Sequence, residues 1–160
     1  MKNRLLLAFL TLAAAAAHAD SRDLTVKAEV EARCKFTSGT LSIDFGKLDP
    51  SAGGEKTAGA VLTYECTYGV KPSAIQVGTQ AAGSYSGKMK LKDSAGGANQ
   101  EFAYRLSWPT DYAAGMGFTP GAGPSPTRVG IDINATVAEG AYSLTKAGAY
   151  EDTVSFTITP

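Results

Sequence analysis

Few side chains in this sequence are of types that do chemistry. The one histidine, His18, falls inside a stretch that reads as a removable export signal. The exported chain would therefore hold no imidazole for acid–base work or metal ligation. That excludes histidine-dependent triads and histidine-containing zinc sites. Carboxylates are plentiful: Asp44, Asp49, Asp132, Glu139, Glu151 and Asp152. They fall at strand edges and turns and form no catalytic grouping with a nucleophile. Glu151-Asp152 is half of a carboxylate pair at most, and Asp152 reads as a turn residue that accepts backbone amides. A calcium loop needs denser carboxylates. Gly53-Gly54 and Gly96-Gly97 lack the strand–helix setting and the lysine of a phosphate loop. Asn134-Ala135-Thr136 fits a glycosylation triplet that is common by chance. No enzyme activity, cofactor or metal is expected.

Cys34 and Cys66 are the remaining reactive pair. In an exported chain, two cysteines read as one disulfide. Closing a loop of about 33 residues stabilises by roughly 3.5–4 kcal/mol in the chain-entropy model. Export is read from the first 19 residues. Lys2 and Arg4 form a basic start, Leu5 to Ala17 an apolar stretch too short to span a bilayer, and Ala17-His18-Ala19 a cleavage site before Asp20. The mature chain, residues 20–160, is expected to be one domain. Removing Lys2 and Arg4 from 15 basic residues leaves 13 against 15 acidic ones, a net charge near −2. No charge run reaches five, so nucleic acid is not an expected partner.

The elements that would position these residues are strands. From Leu24 to Phe36, apolar and polar side chains alternate without a break over 13 residues. Fully extended, that is about 44 Å, roughly twice a usual strand. Shorter alternating runs follow: Leu41-Ile43-Phe45, Ala60-Leu62-Tyr64-Cys66 with Thr63 and Glu65 outward, and Ile75-Val77. Then come Met89-Leu91, Phe102-Tyr104-Leu106, Val129-Ile131-Ile133 and a last run of Tyr150, Val154, Phe156 and Ile158. Gly-rich turns separate them, and no later window keeps a helical period. The pattern predicts an all-β antiparallel sandwich. Pro109 to Thr127, with four prolines among glycines, reads as a solvated surface loop. Trp108 and Tyr112 at its start read as a lid over one end of the core.

Several of these stretches resemble, in order, the spore coat protein U domain family, which includes the major subunits of archaic chaperone–usher pili. The alternating segment ending in Cys34 comes first. Leu41-Ser-Ile-Asp-Phe45-Gly46 resembles the family's Leu-x-Phe-Gly. Leu62-Thr-Tyr64-Glu-Cys66-Thr67-Tyr68-Gly69 resembles Val-x-Cys-Thr-x-Gly. Gly87-Lys-Met89 and Phe102-Ala-Tyr104-Arg-Leu106 resemble its middle strands. Ala147-Gly148-Ala149-Tyr150-Glu151-Asp152-Thr153-Val154 resembles Ala-Gly-x-Tyr-x-Asp-Thr-Val before the last strand. One departure is the end at Thr159-Pro160, where such chains usually close on an aromatic residue.

The resemblance implies an immunoglobulin-like sandwich lacking its last strand, completed by a strand donated from a neighbour. The donor is expected at about residues 20–30, with Leu24, Val26, Ala28 and Val30 as its apolar knobs. Val154, Phe156 and Ile158 would form one wall of the acceptor groove. Identical or related pilin subunits, a periplasmic chaperone and an outer-membrane usher are the implied partners. The implied location is the surface of a Gram-negative-type cell, as a fimbria serving adhesion or biofilm formation. Two rivals are a spore coat or other surface-coat protein of the same fold, and an adhesin or carbohydrate-binding sandwich. Periodicity by itself equally allows Leu24–Phe36 to be the first strand of a complete sandwich.

Overall fold

The computed structural model describes residues 20–94, 97–118 and 128–160. The expected export signal, residues 1–19, lies outside them. The chain divides into two units, residues 1–30 and Glu31–Pro160. In the first unit, residues 20–30 carry no strand pairing and are exposed throughout.

The second unit is all β among the described residues. Its strands are β1 (Cys34–Phe36), β2 (Lys56–Cys66), β3 (Ala74–Val77), β4 (Ser84–Leu91), β5 (Glu101–Ser107), β6 (Val129–Val137), β7 (Tyr150–Glu151) and β8 (Phe156–Thr159). Six form an antiparallel sheet in the order β1-β2-β6-β5-β4-β7, and β3 and β8 form a second sheet. This is the expected immunoglobulin-like sandwich. Its central strands are those whose sequence alternates most strictly. In β5 Phe102, Tyr104 and Leu106 are buried, while Glu101, Ala103, Arg105 and Ser107 are exposed. In β6 Ile131, Ile133, Ala135 and Val137 turn inward on the same period. Opposite β5 and β6 in the core lie Ile75 and Val77 of β3. Trp108 joins the two sheets: its indole N–H donates to the Ile75 carbonyl at 2.9 Å, and its ring meets Phe156 edge-on at 5.1 Å. The Tyr112 hydroxyl accepts the Ile75 amide at 3.2 Å. Both rings are buried, so they close one end of the core.

Cys34 and Cys66 are bonded. They sit directly opposite each other in the β1–β2 register, with Cα atoms 4.1 Å apart. The bond holds the root of the N-terminal segment onto the end of β2.

Three expectations change. The alternation from Leu24 to Phe36 yields strand only at Cys34–Phe36. Leu41–Phe45 joins no ladder, although Ile43 and Phe45 pack against the core. The last run splits at Asp152 into β7 and β8, which belong to different sheets. Alternation reports which face is apolar, and a strand also needs a backbone partner alongside.

The Pro109–Thr127 loop is also less solvated than its composition implies, in the part that is described. Tyr112 and Gly115 are buried. The Gly69 amide donates to the Gly115 carbonyl at 2.8 Å, the Gly115 amide to Val70 O at 2.8 Å, and the Gly117 amide to Cys66 O at 3.1 Å. Gly115 is required by proximity: a Cβ there would lie 2.5 Å from the Cys66 Cβ and 2.4 Å from its carbonyl oxygen. Glu65, expected to face water, is buried between Lys35 and Arg128, each 3.7 Å away. Lys35 in turn lies over the Phe118 ring at 5.2 Å.

Candidate functional site

The second unit holds an open apolar groove of about 390 Å³. One bank is the unladdered chain around Leu41, Ile43 and Phe45. The other is the unladdered stretch Asp152–Val154 running into Phe156 of β8. The floor comes from the long sheet: Ala60 and Leu62 of β2, Ile133 and Ala135 of β6, Leu106 and Tyr104 of β5, and Met89 of β4. Each of these floor residues belongs to the inward set of its strand, so the groove opens onto the core, although Leu62, Tyr104, Leu106, Ile133 and Ala135 are themselves 7% exposed or less. Apolar surface left in water is costly, at roughly 25 cal/mol per Å².

One polar feature stands at the rim. The buried Tyr104 hydroxyl donates to Asp152 Oδ2 at 2.7 Å, and Asp152 Oδ1 accepts the Thr153 amide at 2.9 Å. Burial first, and then the hydrogen bond to Asp152, push the Tyr104 hydroxyl far above the ordinary phenol range. Both causes favour the protonated, donating form of the hydroxyl. Gly87 makes this possible, because a Cβ there would lie 2.8 Å from the Tyr104 ring and 2.5 Å from that of Tyr85. Asp152 thus does more than cap a turn: it ties one bank of the groove to β5.

Val154 and Phe156 line the groove. Ile158 does not; it packs against the core in the β8 pair with Ile75 of β3. Leu24, Val26 and Val30 are 87, 83 and 82% exposed, and Ala28 is exposed with them. Periodicity marked Leu41, Ile43 and Phe45 as apolar, though not as a bank of the groove. Tyr104 and Asp152 lie 48 residues apart, and no local signal joins them.

The groove lining is mainly apolar, with Tyr104 and Asp152 as the polar pair at its rim. Among the described residues, no group of three or more histidine, cysteine or acidic side chains is placed to hold a metal ion. Fold and site together define an immunoglobulin-like, all-β domain with an apolar groove over its core. The chain belongs to the Spore Coat Protein U domain family, whose match runs over residues 20–157. That is a structural, pilin-type family. No curated protein and no solved structure gives a match.

Proposed function

We propose that this chain is a self-polymerising structural subunit of a surface fibre, assembled by donor-strand exchange along the chaperone–usher route. The observation that carries the reading is a pair of unmatched surfaces. One is a core groove between two banks of unladdered backbone, and the other is an exposed segment with apolar side chains at every second position. Leu24, Val26, Ala28 and Val30 of one copy enter the groove of the next, while Thr25, Lys27 and Glu29 face water. Each Val- or Leu-sized knob contributes about 1.5–3 kcal/mol on burial. The strand's amides and carbonyls find partners along the banks, as in other strand additions. Val154 and Phe156 form part of one bank. The disulfide fixes the point from which the donor leaves.

Before assembly, such a groove is an aggregation hazard. A periplasmic chaperone covers it, and an outer-membrane usher replaces the chaperone with the incoming donor. Residues 1–19 direct export and are removed. The same polymer logic serves a spore coat, which is the nearest alternative.

The test is competition by a free donor. A synthetic peptide of residues 21–33 in excess is expected to block polymerisation and to raise the thermal midpoint of the subunit. At a hundred times its dissociation constant, such a ligand stabilises by about 2.7 kcal/mol. The same peptide with Asp in place of Val26 is expected to do neither. If both peptides act alike, or neither acts, the groove is not a donor-strand site.

A further inference from the structure

Beyond the groove, two large side chains stand in water near the root of the N-terminal segment. Tyr68 is 81% exposed and Met116 is 58% exposed, and Phe118, two residues after Met116, is 38% exposed. Single exposed apolar residues are ordinary on protein surfaces. The position of these is what matters.

They are held in place by backbone. The Gly69 amide donates to Gly115 O, the Gly115 amide to Val70 O and the Gly117 amide to Cys66 O. These bonds set Met116 alongside the Thr67–Tyr68 pair. Phe118 is held by Lys35. The root of the N-terminal segment is pinned to the same spot. Thr67 Oγ1 donates to the Glu31 carbonyl at 2.9 Å and accepts the Arg33 amide at 3.1 Å, while the Thr67 amide donates to Arg33 O at 2.9 Å.

Glu31 is therefore fixed beside Thr67, and the next residue toward the N-terminus is Val30. An extended chain advances only about 3.4 Å per residue. Resting on the donor-strand reading above, a neighbour that takes Leu24 to Val30 into its groove must bring the end of that groove to within a residue or two of Thr67. Tyr68 and Met116 then face the neighbour's rim. Tyrosine and methionine suit such a place, since both are enriched at protein interfaces.

We propose that Tyr68 and Met116 form a second contact surface, seated against the groove rim of the neighbouring copy of this chain. It stiffens the joint between subunits, and the donor strand supplies the link itself. The occupant is a second copy because the tether leaves no length for anything else to come between.

A photo-crosslinker tests this in the full exported chain. With p-benzoylphenylalanine in place of Tyr68, irradiated fibres are expected to give a covalent dimer. Its crosslinked peptide should come from Ser38–Phe45 or Asp152–Phe156 of the partner copy. The same probe in place of Leu144, which is 80% exposed at another site, is expected to give none. The Tyr68 product should be lost when Val26→Asp is added. Fibres that assemble normally but give no Tyr68 product, or the same product from both positions, overturn the contact and leave donor exchange standing. Capture of the chaperone instead of a second copy also overturns it. A Val26→Asp chain that still forms fibres overturns donor exchange, and with it the tether on which the contact rests.

Discussion

Val26→Asp is expected to stop fibre growth while leaving a folded, disulfide-bonded subunit. In the donor reading, Val26 contributes to a neighbour's core and nothing to its own, in keeping with its 83% exposure here. Removing a valine contact costs about 1.5–3 kcal/mol. Placing a carboxylate in an apolar groove costs more, because no lysine or arginine lines it to pair with the charge. The variant keeps its own groove intact, so it still binds chaperone and still accepts a strand. It cannot give one, and so it ends a growing fibre. The polar-face change Lys27→Ser is expected to be nearly silent. Two readouts check this together: co-purification with the chaperone, and denaturant-resistant ladders on gels. Were residues 24–30 the first strand of a self-contained domain, Val26→Asp would instead give an unstable monomer that binds no chaperone.

Cys34→Ser is expected to act on folding and not on donation. Losing a native disulfide in a small exported domain typically costs 2–5 kcal/mol, a large part of a total stability of 5–15 kcal/mol. The bond links residues 32 apart in sequence. Cys66 also packs closely against Gly115, and its carbonyl accepts the Gly117 amide. Export yield should fall, and the urea midpoint of any exported protein should drop. Oxidised and reduced wild-type protein should differ by a similar amount. An unchanged midpoint in the variant would show that β1 is held in place without the bond.

How far the sequence reaches can be judged from particular residues. β5 and β6 are legible because both their partners are long strands of the same sheet, so burial follows a period of two with no exceptions on β5. The disulfide is legible because only two cysteines are present. Leu41–Phe45 misleads because its apolar face is real while its backbone finds no ladder. The run from Tyr150 to Ile158 misleads because the chain changes sheets within it, and alternation does not record which sheet a residue joins. Glu65 looks outward by parity, yet it is buried, with Lys35 from β1 and Arg128 from just before β6 reaching its carboxylate. The groove itself was half legible. Val154 and Phe156 line it, but Ile158 lies past its end, and the opposite bank and the Tyr104–Asp152 tie are products of tertiary contact alone.

The donor segment is a different kind of case. Its alternation is the cleanest in the chain, yet it pairs with nothing in residues 20–30. The proposed donor exchange would supply the missing ladder from another molecule.

A density map of the assembled fibre by electron cryo-microscopy tests that claim most directly. The account predicts a continuous strand between Leu41–Phe45 and Val154–Phe156 of each subunit, with side chains that fit Leu24, Val26, Ala28 and Val30 of the adjoining copy. A groove filled by the subunit's own residues 24–30, or left open in a stable fibre, would contradict it.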